Sequence, residues 1–377
     1  LSPRRGSWHP AQESDEIVYA ICNRFLEQLG QHCSGNAKDQ NDRRRGAAAA
    51  VAAWARKHLG REDLTRERIY PLFWEAVRRQ YLLLCPPRES HLASEIRKTF
   101  GLESLPEDAI QVVNVRGPEA ARNVSAVAAD LTFQLIHRLR GKKEKVHVGL
   151  GAGYSSMMVA RRLAQRVYSD LQCPPLVLHA ISAGGFFIDQ PYKAPVTYFG
   201  YFSEVITPVE YVGLFSEPLV SREEYDRVRQ NPSVRHSFER AKEIDIVITS
   251  FAAAQDEHGM LGQFLKALQQ EGTITQAQID TMVRAGWVGD VQFRPYSATG
   301  PIVEECPVQV VTLFEIEELV ALAQQPNKYV VLIAGPCSEC QRLKTDALRP
   351  LLTNPRLRLW THLVMDLATA YDLLRSS

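Results

Sequence analysis

From about residue 109 onward, short apolar runs alternate with amphipathic stretches, and this alternation constrains the fold more than any other feature of the chain. "IQVVNV", "KVHVGLG", "LVLHAI", "IDIVITSF", "VQVVTL" and "KYVVLIAG" read as strands. Between them, "PEAARNVSAVAADLTFQLIHRL", "SSMMVARRLAQRVYSDL", "SREEYDRVRQNPSVRHSFERAKE" and "EIEELVALAQ" carry helical periodicity. Short apolar strands separated by helices predict an α/β domain with a mostly parallel sheet. No internal repeat or low-complexity tract interrupts the pattern.

The first hundred residues have a different texture. Ile17, Ile21, Phe25 and Leu29 are spaced four apart, as on an amphipathic helix ending at Gly30. "HCSGNAKDQNDRRRG" is polar and predicts an exposed linker. A helical region follows over 47–84, and then "CPPRES", whose prolines cannot continue a helix. "SHLASEIRKTFGL" predicts a short helix with Ser90 as N-cap and Gly101 as stop. Charge divides along the same line. Residues 1–100 hold 17 Lys and Arg against 12 Asp and Glu, whereas the rest hold 27 against 31. A basic segment on a near-neutral body points to a nucleic-acid-facing module.

With no apolar run approaching eighteen residues, no membrane span is expected. The seven cysteines are irregularly spaced, unlike a secreted disulfide framework, and predict a reducing cytoplasm. "LSPRRGSWHP" lacks a signal-peptide core and reads as a processed, cloned or flexible start.

One turn stands out. "VGLGAGYSS" (148–156) delivers a strand into Gly151 and Gly153 and then into Ser155 and Ser156 at a helix start. In parallel sheets ligands sit at the carboxyl ends of strands, and unpaired helix-start amides favour anions. A phosphate or carboxylate cradle is one reading; a tight strand–helix turn capped by Ser155 is the other. Neither a Walker loop nor a full dinucleotide fingerprint is present.

From about residue 64 to the end the chain resembles the SorC family of sugar-binding bacterial transcriptional regulators, and the matches fall in the family's order. "VGLGAGYSS" resembles its phosphate-binding turn, with Ser155 in the usual Thr position. "AGWVGDVQFRPYSATGPI" resembles a signature, with Gly289, Asp290, Arg294 and Gly300 in register. "KTDALRPLL" resembles the closing segment with its Lys344, and "LATAYDLL" the final helix. The resemblance implies a Rossmann-like effector domain, related to sugar-phosphate isomerases and deaminases, behind a small all-α or winged helix-turn-helix domain. It divides the chain into an N-terminal helix and basic linker (1–45), a helix-turn-helix (46–88) and an effector-binding and oligomerisation domain (89–377). It implies operator DNA and a phosphorylated sugar or similar anion as partners, a homodimer or homotetramer, and no cofactor. Gly151, Gly153, Ser155, Ser156, Asp290, Arg294 and Lys344 are the implied effector-binding residues. The chain departs from the family at Phe293 and Pro295, at an insertion in "PCSECQRL", and over 184–213.

"LTRERIYPLFWEAVRRQYLLL" (64–84) resembles the family's recognition helix and wing. Ile69, Leu72, Phe73 and Ala76 would face a core, with Trp54 and Leu59 anchoring the supporting helix. Thr65, Arg66, Arg68 and Tyr70 would face the major groove, and Arg43 to Arg45, Arg56 and Lys57 would be available to phosphates. Pro71 should bend the helix. A helical dimerisation module with a solvated basic face is the alternative.

A sugar-phosphate enzyme is the rival class, and a non-catalytic interaction module whose pocket and DNA head have both drifted is a third reading. "VEYVGL" (209–214) is similar to a deaminase motif but has Val209 where the acidic base would stand, so no catalytic residue is expected. Cys337 and Cys340 form a C-x-x-C, either a redox pair or two unremarkable thiols. No second pair in the sequence completes a zinc site, and no metal is expected. His147 and His179 read as packed strand residues. The aromatic run Tyr198, Phe199, Tyr201 and Phe202 reads as core or interface, or as a stacking surface for a ligand.

Overall fold

In the computed structural model of the chain, residues 8–33, 40–79, 81–82, 84–168, 170, 172–183, 190–217, 219–220 and 222–375 are described. They fall into two compact units, Leu1–Leu84 and Cys85–Ser377.

The first unit is built from α1 (Asp15–Cys33), α2 (Gln40–Leu59) and α3 (Arg66–Arg78). Alanines at 47, 48, 52 and 55 let the backbone of α2 approach its neighbours, and Ile21 and Phe25 of α1 fill the space against Ile69 and Leu72 of α3. This corrects two expectations. The 15–30 helix is not separate from the helical region; its apolar stripe is part of the same core. The stretch expected to be linker is helical from Gln40 on, while 34–39 lies outside the described residues. Gly60, at φ +65°, ends α2 in the left-handed conformation that glycine tolerates. The third helix runs on through Pro71. No strand follows it among the described residues, where the resemblance implied a wing.

The second unit contains β1 (Ile110–Val113), β2 (Val146–Leu150), β3 (Leu176–Ala180), β4 (Val209–Val212), β5 (Leu219–Val220), β6 (Ile246–Ala253), β7 (Gly289–Val291), β8 (Arg294–Ser297), β9 (Gly300–Pro301), β10 (Gln309–Val310), β11 (Tyr329–Ala334) and β12 (His362–Asp366). The main sheet has the order β1-β12-β11-β6-β2-β3-β4 and is parallel throughout. Alternation along each strand feeds two cores. Ile246, Ile248, Val331 and Ile333 pack with α5 (Ala120–Leu139) and α6 (Tyr154–Tyr168). Val247, Val330 and Leu332 face the opposite side, where α4 (Ser90–Thr99), α11 (Ile316–Ala323), α12 (Thr345–Thr353) and α13 (Leu367–Arg375) lie, while α9 (Met260–Gln270) and α10 (Gln276–Arg284) share a smaller cluster through Leu261 and Met282. A sheet covered on both faces explains the near-continuous apolar runs.

The stretch "SREEYDRVRQNPSVRHSFERAKE" forms two helices, α7 (Arg222–Gln230) and α8 (Pro232–Ala241). Asn231 accepts the Ser233 amide, and Pro232 begins the second helix, where its missing N–H costs nothing. Within "VQVVTL" only Gln309 and Val310 form a strand, paired with β5.

Strand β6 serves two pairings. Its first residues lie between β2 and β11, whereas Phe251–Ala253 pair antiparallel with β7. A two-residue turn of Gln292 (φ 51°) and Phe293 (φ 63°) joins β7 to β8, matching the type I′ geometry of tight hairpins. Phe293 therefore occupies a backbone conformation in which glycine is the ordinary residue, at one of the positions where the chain departs from the resembled family. No described helix is long and apolar enough to cross a membrane.

Candidate functional site

The carboxyl ends of β2, β6 and β11, neighbours in the sheet, open into three loops leading to α6, α9 (Met260–Gln270) and α12. A pocket of about 90 Å³ lies there, walled by residues 152–155, 250–252, 256, 258–260 and 336–339, with Asp290, Gln292 and Phe293 from the hairpin and Lys193 and Lys344 from flanking segments. Ligands of open α/β sheets bind at this end.

Of the effector-binding residues named from the sequence, Gly153, Ser155, Asp290 and Lys344 line the pocket. Gly153, at φ +104°, makes the turn possible; its amide donates to the Lys193 carbonyl at 3.0 Å. The amides of Tyr154, Ser155 and Ser156 open α6 and have no acceptor among the described residues. Lys344 Nζ lies 3.5 Å from Asp256 Oδ2 and donates to the Phe251 carbonyl at 3.4 Å. Burial pushes the Asp290 carboxyl up to about 7, against the opposing pull of the Lys344 ammonium.

Three named residues do not line the pocket. Gly151 is a packing glycine: its amide is taken by the Ile248 carbonyl at 2.9 Å, and a Cβ there would stand 2.1 Å from Gln292 Nε2. Ser156 is fully buried, its hydroxyl without a partner among the described residues. Arg294 is buried in a polar knot of its own, with both Nε and Nη2 donating to Glu315, Nη1 to the Val310 carbonyl and Nη2 to the Tyr225 hydroxyl.

Lys193, Asp256, His258, Gln292 and Glu339 also line the pocket and were not singled out in the sequence. Lys193 is buried and pairs with Glu339 at 3.4 Å. It belongs to the stretch that departs from the family, of which 184–189 lies outside the described residues. Of the aromatic run in that stretch, Tyr198 and Phe202 are buried against α6 and Tyr201 is exposed, and the Tyr198 hydroxyl donates to the carbonyls of Gly153 and Lys193. Gln292 donates to Thr249 Oγ1 at 2.5 Å, leaving its buried Oε1 without a donor among the described residues.

Two loops meet at one rim of the pocket. Asp256 and His258 follow β6, and Cys337 and Cys340 follow β11. Their ligand atoms all lie within 4.8 Å of one another. Cys337 Sγ is 3.6 Å from His258 Nδ1, which is 3.7 Å from Asp256 Oδ1. The other ring nitrogen of His258 faces Glu339 at 3.3 Å. The Arg342 amide, with His258, holds the Cys340 thiol below its usual range. Burial pushes Cys337 up, although the amides of Cys340 and Glu339 also point at its sulfur.

His147 and His179 pack in their strands, with Nδ1 of the first 3.0 Å from Nε2 of the second. Burial pushes His179 down to about 3. The "VEYVGL" segment forms edge strand β4, where Glu210 pairs with Lys145, and contributes nothing to the pocket lining.

In the helical unit, Arg56, Lys57, Thr65 and Arg66 are exposed around the turn between α2 and α3. Arg68 is engaged instead: its Nη1 donates to Asp63 at 3.1 Å and its guanidinium lies 4.7 Å from the Trp8 ring centroid. Tyr70 faces α1, edge-on to Phe25 at 5.7 Å, and so belongs to the core rather than to an open surface. Side chains at 43 and 44 lie outside the described residues.

No protein-family model matches this sequence, and no curated protein matches it at a significant level. Solved structures do match. The full-length sorbitol operon regulator SorC from Klebsiella pneumoniae superposes with a TM-score of 0.58 at 15% identity, covering 96% of this chain and 100% of that one. A probable sor operon regulator from Shigella flexneri gives 0.55 at 16% identity, over 75% of this chain and 98% of that chain. The putative sugar-binding domain of a transcriptional repressor from Vibrio fischeri gives 0.54 at 13%, over 76% and 99%. At these identities the likeness is one of fold, and it bears out the α/β class with a mostly parallel Rossmann-like sheet.

Proposed function

We propose that the chain is an effector-controlled DNA-binding regulator of the SorC type. Its second unit holds a small phosphorylated sugar or related anion, and its helical unit contacts duplex DNA. The observation that carries this reading is the pocket at the ends of β2, β6 and β11, in which free helix-start amides, the Ser155 hydroxyl and Lys344 converge. Amides at a helix start and a lysine are the donors an anionic phosphate recruits. The similarity over nearly the whole length of a regulator, helical unit included, supports joining the two activities in one protein. On this reading the protein works in the cytoplasm as a homodimer or homotetramer and binds its effector without turning it over. Effector binding would bias the assembly between arrangements that space the DNA heads differently.

A thermal-shift series against hexose and pentose phosphates, with inorganic phosphate alongside, tests the pocket. A ligand at a hundred times its Kd adds about 2.7 kcal/mol to the native state, and the midpoint must rise. In the Ser155→Ala/Lys344→Ala protein that rise is expected to vanish. An unchanged rise would remove these residues from the site.

The DNA reading narrows to Arg56, Lys57, Thr65 and Arg66, because Tyr70 packs in the core and Arg68 is held between Asp63 and the Trp8 ring, whereas Arg66 pairs only with its exposed neighbour Glu67. Every DNA phosphate that the protein ceases to neutralise makes the slope of log K against log salt shallower by about 0.9. Binding of an arbitrary duplex to Arg56→Ala/Lys57→Ala/Arg66→Ala protein, followed by fluorescence anisotropy across a salt series, should therefore show a shallower slope. A slope equal to the parent's would point to a helical dimerisation module.

A further inference from the structure

We propose that Asp256, His258, Cys337 and Cys340 form a tetrahedral site for a borderline divalent ion, with Zn2+ the first candidate. The sequence offers only half of such a site, the C-x-x-C of 337–340. The sheet supplies the other half. Strands β6 and β11 are hydrogen-bonded neighbours, with Ser250 opposite Ile333, so the loops that follow them emerge side by side. One carries Asp256-x-His258 and the other Cys337-x-x-Cys340.

The distances suit the ion. Zinc bonds of about 2.3 Å to sulfur and 2.0–2.2 Å to nitrogen or oxygen give tetrahedral edges of roughly 3.3–3.8 Å. Cys337 Sγ to His258 Nδ1 is 3.6 Å, and His258 Nδ1 to Asp256 Oδ1 is 3.7 Å. The widest edge is within 4.8 Å, so closing the tetrahedron requires a movement on the order of an ångström, no more than side-chain rotation provides.

The surroundings point the same way. His258 turns Nδ1 toward the sulfurs and Nε2 toward Glu339, the outer carboxylate that metal-bound imidazoles ordinarily hold. The C-x-x-C turn is closed by its own backbone: the Cys337 amide donates to the Arg342 carbonyl and the Gln341 amide to the Cys337 carbonyl, both at 3.0 Å, with Gln341 at φ 60°. Asp256 and Cys337 are buried while Cys340 is exposed, which leaves the ion a path of entry.

On binding, the two thiols give up their protons to solvent, and the ion takes two thiolates, one carboxylate and a neutral imidazole. The single negative charge left over faces the Lys344 ammonium, 3.5 Å from the second carboxylate oxygen of Asp256. Thiolate and imidazole ligands select zinc over magnesium or calcium. The ion would pin together the two loops that wall the pocket. It does so whether or not a sugar phosphate binds there, since none of its four ligands is among the residues assigned to the anion.

The full-length protein, kept reduced and stripped with a chelator, should take up one equivalent of Co2+. The product should show the visible bands of tetrahedral cobalt and near-ultraviolet thiolate-to-cobalt charge transfer, both displaced by Zn2+. Cys340→Ser, at an exposed position, should weaken the charge transfer and lower affinity by at least about tenfold. Cys306→Ser, outside the cluster, should change neither. Wild-type protein without tetrahedral bands, or bands that survive Cys340→Ser unchanged, would overturn the site. Failure to bind cobalt together with ready oxidation of the Cys337–Cys340 pair would overturn it in favour of a dithiol switch.

Discussion

Replacing Arg294 by methionine is expected to destabilise the protein by about 2–4 kcal/mol while leaving its response to sugar phosphates intact. The guanidinium is buried and makes four hydrogen bonds, which tie β8 to the start of α11, to β10 and to α7. Methionine keeps much of the volume but leaves the Val310 carbonyl and the Tyr225 hydroxyl short of a donor. Removing one partner of a buried ion pair costs about 3–5 kcal/mol. The Glu315 side chain is 36% exposed, so water recovers part of that loss. Chemical denaturation of the two proteins gives the difference directly. A loss below about 1 kcal/mol would mean that the knot contributes little. Unchanged stability with loss of the ligand-dependent shift would return Arg294 to the effector site that its place in the sequence motif suggested.

Gly289→Ala should be nearly as damaging, for a steric reason. A Cβ at this position would lie 2.6 Å from the Ala252 carbonyl oxygen, 2.7 Å from the Tyr296 hydroxyl and 2.9 Å from Ala347 Cβ. None of these can withdraw easily: the first is strand backbone, the second donates to the Ala347 carbonyl, and the third sits in the first turn of α12. Overpacking of this kind costs about 1–3 kcal/mol, sometimes more. Because α12 begins directly after Lys344, the displaced helix should also blunt binding of any anion that uses that lysine. Gly200→Ala is the control, since nothing lies within 4 Å of its built Cβ and a change of no more than about 0.5 kcal/mol is expected. Equal melting of the two variants would show that the sheet accommodates the methyl group at 289.

The α/β sheet was legible because buried parallel strands leave long apolar runs, and the helices between them have a different period. The pocket was legible in part. Gly153 and Ser155 announce themselves by a strand–turn–helix, and Asp290 and Lys344 by a resemblance of motifs. Asp256 and His258 gave no such signal, since only the adjacency of β6 and β11 brings them to cysteines that stand far along the chain. Lys193 was hidden for a similar reason, as it enters from an irregular segment. Gly151 and Arg294 stand off the pocket, because a residue in a turn or hairpin can serve the packing around it as readily as a ligand. Tyr70 was recoverable: it stands three residues before Phe73, hence on the same helix face, and both rings meet Phe25. The extent of α2 was not, because its first turn is as polar as a linker and gains its order from the alanines that follow.

Strand β6 belongs to two pairings at once, so the walls of the pocket differ in kind. The wall bearing Asp290 is a prolongation of the sheet and has a sheet's rigidity, fixed to β6 by a ladder of backbone hydrogen bonds. The other walls are loops and a helix end. If the pocket holds an effector as proposed, the hairpin wall has little room to yield, and a bulkier or smaller body would have to be accommodated on the loop side.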